Sequence, residues 1–154
     1  IGLYPNLPAE PLQRIAANQY SQKHEAAEGA LTTVQQLGFC DGVMELPFNT
    51  PSYSVENAPY IEYQLDIPAE ATQLEVRTLP TLHVYEGRDA RYAVQLDDQP
   101  AETFSIHEGD FTSEWRLNVL RGYATRSVAA TAGKHTLRIY LLDPGIVLQE
   151  ILIK

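Results

Sequence analysis

Glu114-Trp115-Arg116-Leu117-Asn118-Val119-Leu120, then Gly133-Lys134-His135-Thr136-Leu137-Arg138-Ile139-Tyr140, then Leu141-Leu142-Asp143-Pro144-Gly145-Ile146-Val147-Leu148 are the stretches whose reading decides the fold. The second follows a glycine turn and sets apolar residues at every second position, the period of a strand with one buried face. Asp143-Pro144-Gly145 is a tight reversal, after which the apolar pattern resumes. Read together, they predict a β-hairpin with a buried inner face, the element that closes a β-sandwich. No catalytic signature lies nearby, so the chain reads as a module and not as an enzyme.

Working outward, the same period of two recurs along the chain. Strands are predicted at residues 14–20, 31–34, 43–46, 60–67, 73–79, 91–96, 101–106, 115–120, 126–129, 135–142 and 147–153. Their spacing of roughly ten residues, with turn chemistry at Asp97-Asp98-Gln99-Pro100 and Ala132-Gly133, is that of an all-β chain forming an antiparallel β-sandwich of jelly-roll type. Residues 16–30 have helical composition, but Tyr20-Ser21-Gln22-Lys23 shows no apolar stripe at helical spacing, so strand is preferred there.

A chain of 154 residues suits one domain with one hydrophobic core. Residues 3–11 carry three of the ten prolines, which favour extended backbone. Residues 1–12 therefore read as an interdomain linker or N-terminal extension, and residues 13–154 as a single sandwich module. The formal charge of −9 argues against nucleic acid and anionic membrane as partners, since phosphate tracking needs clustered Lys and Arg. No apolar run approaches the roughly 20 residues needed to span a bilayer. The single cysteine, Cys40, excludes an intramolecular disulfide and reads as a buried thiol.

Two segments escape the strand pattern and are the expected functional loops: residues 47–54, with Tyr53, and residues 80–89, with His83, Tyr85, Glu86, Arg88 and Asp89. Loops with ends fixed by rigid sheets are where binding groups are usually carried, although aromatics also serve simply to anchor a loop. Trp115, the sole tryptophan, begins a predicted strand and reads first as a core residue, second as a sugar-stacking platform.

Leu79-Pro80-Thr81-Leu82, Gly87, Arg91-Tyr92-Ala93-Val94-Gln95-Leu96-Asp97, Trp115 with Val119-Leu120, Gly133 to Ile139 and Asp143-Pro144-Gly145-Ile146-Val147-Leu148-Gln149 together resemble the C-terminal domain of glycoside hydrolase family 115. The resemblance runs from about Gln13 to the end. It implies a sandwich similar to galactose-binding and family 6 and 35 carbohydrate-binding folds, attached to a xylan α-1,2-glucuronidase whose catalytic domain precedes it. Modules of this kind often open with two glutamates flanking an alanine, which ligate a structural calcium. Here Ala16 and Asn18 stand at those positions, so the strongest ligands are missing and no calcium is expected.

Chemistry beyond binding finds little support in the residues. There is no Gly-X-Ser-X-Gly elbow, and Gly38-Phe39-Cys40-Asp41-Gly42 matches no cysteine nucleophile motif. His24, His83, His107 and His135 lack metal-pair spacing, and His135 reads as a structural donor. Sugar recognition combines a flat aromatic face with planar polar groups for hydroxyls, and a uronate adds a carboxylate that arginine grips bidentately. By that logic Tyr53 or Tyr85 is the platform, with His83, Glu86, Arg88 and Asp89 as polar partners. The expected function is a noncatalytic carbohydrate-binding module for xylan or glucuronoxylan, working without a cofactor beside a catalytic domain in an extracellular or periplasmic enzyme. Two alternatives stand beside it: a structural or dimerisation module that packs on the catalytic domain, and, ranked last, a self-contained hydrolase or esterase.

Overall fold

The computed structural model describes residues 11–25, 31–35, 42–46, 50–80, 89–106 and 112–154. Among them, β1 (Gln13–Ala16), β3 (Thr32–Gln35), β4 (Gly42–Glu45), β6 (Gln73–Thr78), β9 (Ala124–Ala129) and β11 (Val147–Ile153) form one sheet. Its order is β3-β4-β11-β6-β9, with β1 also paired to β11. The second sheet, in the order β2-β5-β10-β7-β8, contains β2 (Gln22–His24), β5 (Tyr60–Ile67), β7 (Arg91–Leu96), β8 (Glu102–Ser105) and β10 (Gly133–Leu141). Every ladder is antiparallel, as the expected sandwich requires.

Alternation along each strand builds the core between the sheets. β5 turns Ile61, Tyr63, Leu65 and Ile67 inward, and β10 adds Leu137, Ile139 and Leu141. From the facing sheet come Leu74, Val76, Leu148, Ile151 and Ile153. Tyr63 and Tyr92 are both fully buried. The Tyr63 hydroxyl donates to the Ala17 carbonyl at 2.5 Å, so the polar end of the ring is satisfied inside the core.

The predicted closing hairpin is not formed. β10 and β11 lie in opposite sheets, and each is flanked by other strands on both edges. The reason lies in their burial. β11 is buried along its whole length on both faces, whereas β10 sends Thr136 and Arg138 to an outer surface, so the two cannot share a single-faced ribbon. Residues 142–146 instead cross the roughly 10 Å between sheets. Gly145, at φ +90°, makes the turn, and its N–H donates to the Leu46 carbonyl. Asp143, only 1% exposed, fastens the crossing to β7: it accepts from the Arg91 N–H at 2.9 Å and from the Arg91 guanidinium Nε at 2.8 Å.

The predicted strand over residues 115–120 is also overturned, because Ser113–Arg121 is the helix α1. Apolar residues at 115, 117 and 119 imitate strand alternation, but the flanks carry helix punctuation. The Thr112 side chain accepts from the Trp115 N–H as N-cap, Glu114 sits in the first turn, and Gly122 caps the end at φ +82°. Only Asn118 of this helix is buried, where its side-chain oxygen accepts from Arg121. Trp115 is half-buried on α1 and lies outside the core that the sequence reading preferred for it. β1 likewise stops at Ala16, because Gln19 N–H turns back onto the Ala16 carbonyl. Of residues 16–30 only β2 continues as strand among the described residues.

The outer face of the first sheet is closed by charge. Glu150, 1% exposed, pairs with Arg14 at 3.0 Å and Arg77 at 3.3 Å, while Glu75 takes Arg77 and Lys154. The Arg77 guanidinium lies 4.0 Å over the Tyr123 ring. Burial opposes the Glu75 charge, but hydrogen bonds from Lys154, Thr125 and Arg77 outweigh it and draw its carboxyl down to about 2.

Leu148→Ala, at the centre of this core, is expected to destabilise the domain by about 2–5 kcal/mol in a denaturant titration. Gly145→Ala should cost about 1–2 kcal/mol, because an L side chain is strained at that φ.

Candidate functional site

Strand register sorts the outward residues of the sheet β2-β5-β10-β7-β8 into rows. One row runs Gln22, Glu62, Arg138, Gln95 across four strands. Beside it lie Gln64 and Thr136, continued by Asp97, whose N–H donates to the Thr136 carbonyl at 2.8 Å. These residues and Asp98 line a polar trough of about 470 Å³. On the other side of the first row comes His24, Tyr60, Tyr140, Ala93. There Tyr53, Val55 and Ala58 pack over Ala93, Tyr140 and Leu142, so that end of the sheet face is covered.

The trough's side chains are held by one another. Glu62, buried on the sheet face, accepts from the Arg138 Nε at 2.8 Å, a contact that raises the guanidinium's already high pKa. The same guanidinium lies 4.6 Å over the Tyr60 ring, which stacks on His24 at 5.0 Å. Tyr140 donates its hydroxyl to the Gln95 side-chain oxygen at 2.8 Å, and Thr136 donates to the Gln64 side-chain oxygen at 3.2 Å. Such fixed amides present donors and acceptors without first losing rotamer freedom.

The wall at the β7–β8 turn is built on Asp97, in the left-handed region at φ +52°. Its carboxylate accepts from the Thr136 N–H at 2.8 Å and faces the His135 Nδ1 at 2.5 Å, while the His135 Nε2 faces the Thr131 carbonyl at 2.8 Å. Both ring nitrogens meet acceptors, so the imidazolium is favoured. The Asp97 hydrogen bond is the main cause that raises His135 above 6.5, and the same contact is the main cause that lowers Asp97. His135 is thus the structural donor that its position suggested.

Of the loop residues expected to bind, the two that are described, Tyr53 and Asp89, are not among the described residues lining the trough. Tyr53 donates its backbone N–H to the Leu142 carbonyl at 2.7 Å and packs its ring on the sandwich, the anchoring role weighed against binding. Asp89, exposed, accepts from the Ser105 hydroxyl at 2.6 Å, at the opposite end of β7 from Asp97. Trp115 is on α1, between β8 and β9 in the chain. His83, Tyr85, Glu86, Arg88 and Cys40 lie outside the described residues. The trough residues went unselected because polar positions alternating with core residues look like an ordinary wet sheet face. The usable signal was that three successive central strands put glutamine, threonine or paired charge at matching outward positions.

Two antiparallel sheets packed face to face form a β-sandwich, the fold shared with family 6 and family 35 carbohydrate-binding modules. The chain belongs to the glycosyl hydrolase family 115 C-terminal domain family, whose model matches residues 14–154. Among solved structures it resembles a family 115 4-O-methyl-α-glucuronidase with specificity for decorated arabinogalactans, at TM-score 0.72 and 21% identity over 96% of this chain. The chain spans 18% of that enzyme's length. It also resembles the C-terminal family 6 carbohydrate-binding module of LamC, a marine laminarinase from Zobellia galactanivorans, at TM-score 0.58 and 13% identity over 92% of this chain and 98% of that one. A family 35 carbohydrate-binding module from Clostridium thermocellum gives TM-score 0.58 and 15% identity, with the same coverage of 92% and 98%. No curated protein sequence matches the chain. The likeness to these structures establishes a galactose-binding-like fold.

The His135–Asp97 pair contributes stability that is present in full between about pH 3.8 and 6.5, lost as pH rises through the raised histidine pKa and as it falls through the lowered Asp97 pKa. An NMR titration of the His135 ring should give a midpoint above 6.5, falling toward 6.5 in Asp97→Asn. A midpoint unmoved by that substitution would remove the pair from this account.

Proposed function

We propose that the chain is a noncatalytic carbohydrate-binding module of a plant-cell-wall polysaccharide-degrading enzyme, and that the trough is its sugar site. The observation that carries this reading is the preorganised set of polar side chains, the amides of Gln64 and Gln95 and the Thr136 hydroxyl with Asp97, on a rigid sheet face. Sugar hydroxyls are paired donors and acceptors, and such groups match them. The neighbouring rings of Tyr60 and Tyr140 are engaged by His24, Arg138 and each other. Binding therefore rests on hydrogen bonds more than on stacking and is weak, on the order of millimolar, an affinity that tethering to a catalytic domain makes useful.

The polysaccharide is of xylan type, with xylan or glucuronoxylan as first choices, and the parent enzyme works outside the cytoplasm, extracellular or periplasmic. No cofactor enters this reading. The specificity of the glucuronidase relative for decorated arabinogalactans brings galactans into the same test. A second reading, a structural module packed against the catalytic domain, draws on α1, where Leu117, Val119 and Leu120 are exposed, Leu120 at 86%.

Affinity electrophoresis of the folded domain in gels of xylan, glucuronoxylan, arabinogalactan and mannan separates the two. Retardation in xylan, abolished by Gln64→Ala with Gln95→Ala but retained in Leu120→Ser, is the expected outcome. Unretarded migration in every gel favours the packing role.

A further inference from the structure

Resting on the trough being a sugar site, we propose that it selects neutral glycan units and rejects uronate-bearing ones, because Arg138, the one arginine among its described lining residues, is already paired with Glu62. A carboxylate ligand is normally captured by an unpaired guanidinium able to donate two parallel hydrogen bonds. Here the Arg138 Nε is given to Glu62 at 2.8 Å and the guanidinium face lies on Tyr60 at 4.6 Å. Among the described lining residues the remaining charges are Asp97 and Asp98 on the β7–β8 turn, and of these two Asp97 pairs with His135. A uronate entering the trough would meet Asp98 and an Arg138 whose charge Glu62 already balances. The lining amides and the Thr136 hydroxyl are indifferent to charge and suit hydroxyls.

The arrangement resolves an opposition between substrate and charge. A glucuronoxylan chain carries acidic branches, yet the protein carries a net charge of −9. A site that reads unbranched neutral stretches lets such a polymer be held between its acidic branches, leaving those branches free. Specificity here comes from an unfavourable pairing built against the wrong ligand as much as from contacts to the right one.

The test is isothermal titration calorimetry of the folded domain with neutral xylo-oligosaccharides and with the same oligosaccharides bearing glucuronic acid, in the wild type, Glu62→Gln and Asp98→Asn. The expected result is neutral binding with uronate binding weaker by roughly tenfold at low salt, the gap closing as salt screens it. Glu62→Gln, which frees Arg138, should gain uronate affinity by a similar factor. Asp98→Asn, on an exposed turn and independent of the buried pair, should narrow the gap if Glu62→Gln fails to fold. Uronate ligands bound by the wild type as tightly as neutral ones, with neither substitution changing the ratio, would overturn the proposed selectivity while leaving the sugar site intact. Binding of neither class by folded protein would overturn the sugar site itself, and the selectivity with it.

Discussion

The buried carboxylate of Asp143 is the contact on which the architecture turns. At the crossing from β10 to β11 the chain leaves one sheet and enters the other, and the central strands of both sheets are therefore consecutive in sequence. Such a crossing holds only if its polar groups are satisfied away from water. Asp143 meets that need by taking the backbone and guanidinium of Arg91 at the start of β7, and Gly145 supplies the backbone geometry. The two central strands then face one another across Leu137, Ile139, Leu148 and Ile151, and the other strands build outward from them.

That arrangement gives the two outer faces different fates. The face of β11 is sealed by Glu150, Arg14, Arg77 and Glu75, whose charges are committed to one another, with Tyr123 under the Arg77 guanidinium. The face of β10 carries amides, a hydroxyl and the Glu62–Arg138 pair, walled by Asp97 and Asp98, and it is concave and open to solvent along Gln64, Thr136 and Gln95. A hydrated surface whose side chains are already oriented binds hydroxyl-rich ligands with little ordering loss. Under the proposed function, one sheet serves as the scaffold and the other as the recognition surface.

Much of the fold was legible in the sequence because alternation is a direct consequence of one-sided burial. Residues 60–67, 73–78 and 91–96 show it plainly and form strands where expected. The failures have identifiable physical causes. Alternation cannot say which strand is a neighbour, so an apolar run joined by Asp-Pro-Gly resembles a hairpin even when the chain crosses between sheets. Over residues 115–120 a chance alternation outvoted Thr112 and Gly122, which set the helix ends. The candidate site was less legible still. It is assembled by register across four strands, and register is fixed by tertiary pairing that no local window contains.

The central claim is that the outer face of the sheet β2-β5-β10-β7-β8 receives sugar. The most direct measurement is a two-dimensional NMR titration of the labelled domain with a neutral xylo-oligosaccharide, following backbone and side-chain amides together. This account predicts shifts concentrated at the side-chain amides of Gln64 and Gln95 and at the backbone of Asp97, Thr136 and Arg138, with the amide of Tyr53 unmoved. Shifts confined to residues 80–89 or to α1, with the trough silent, would contradict it.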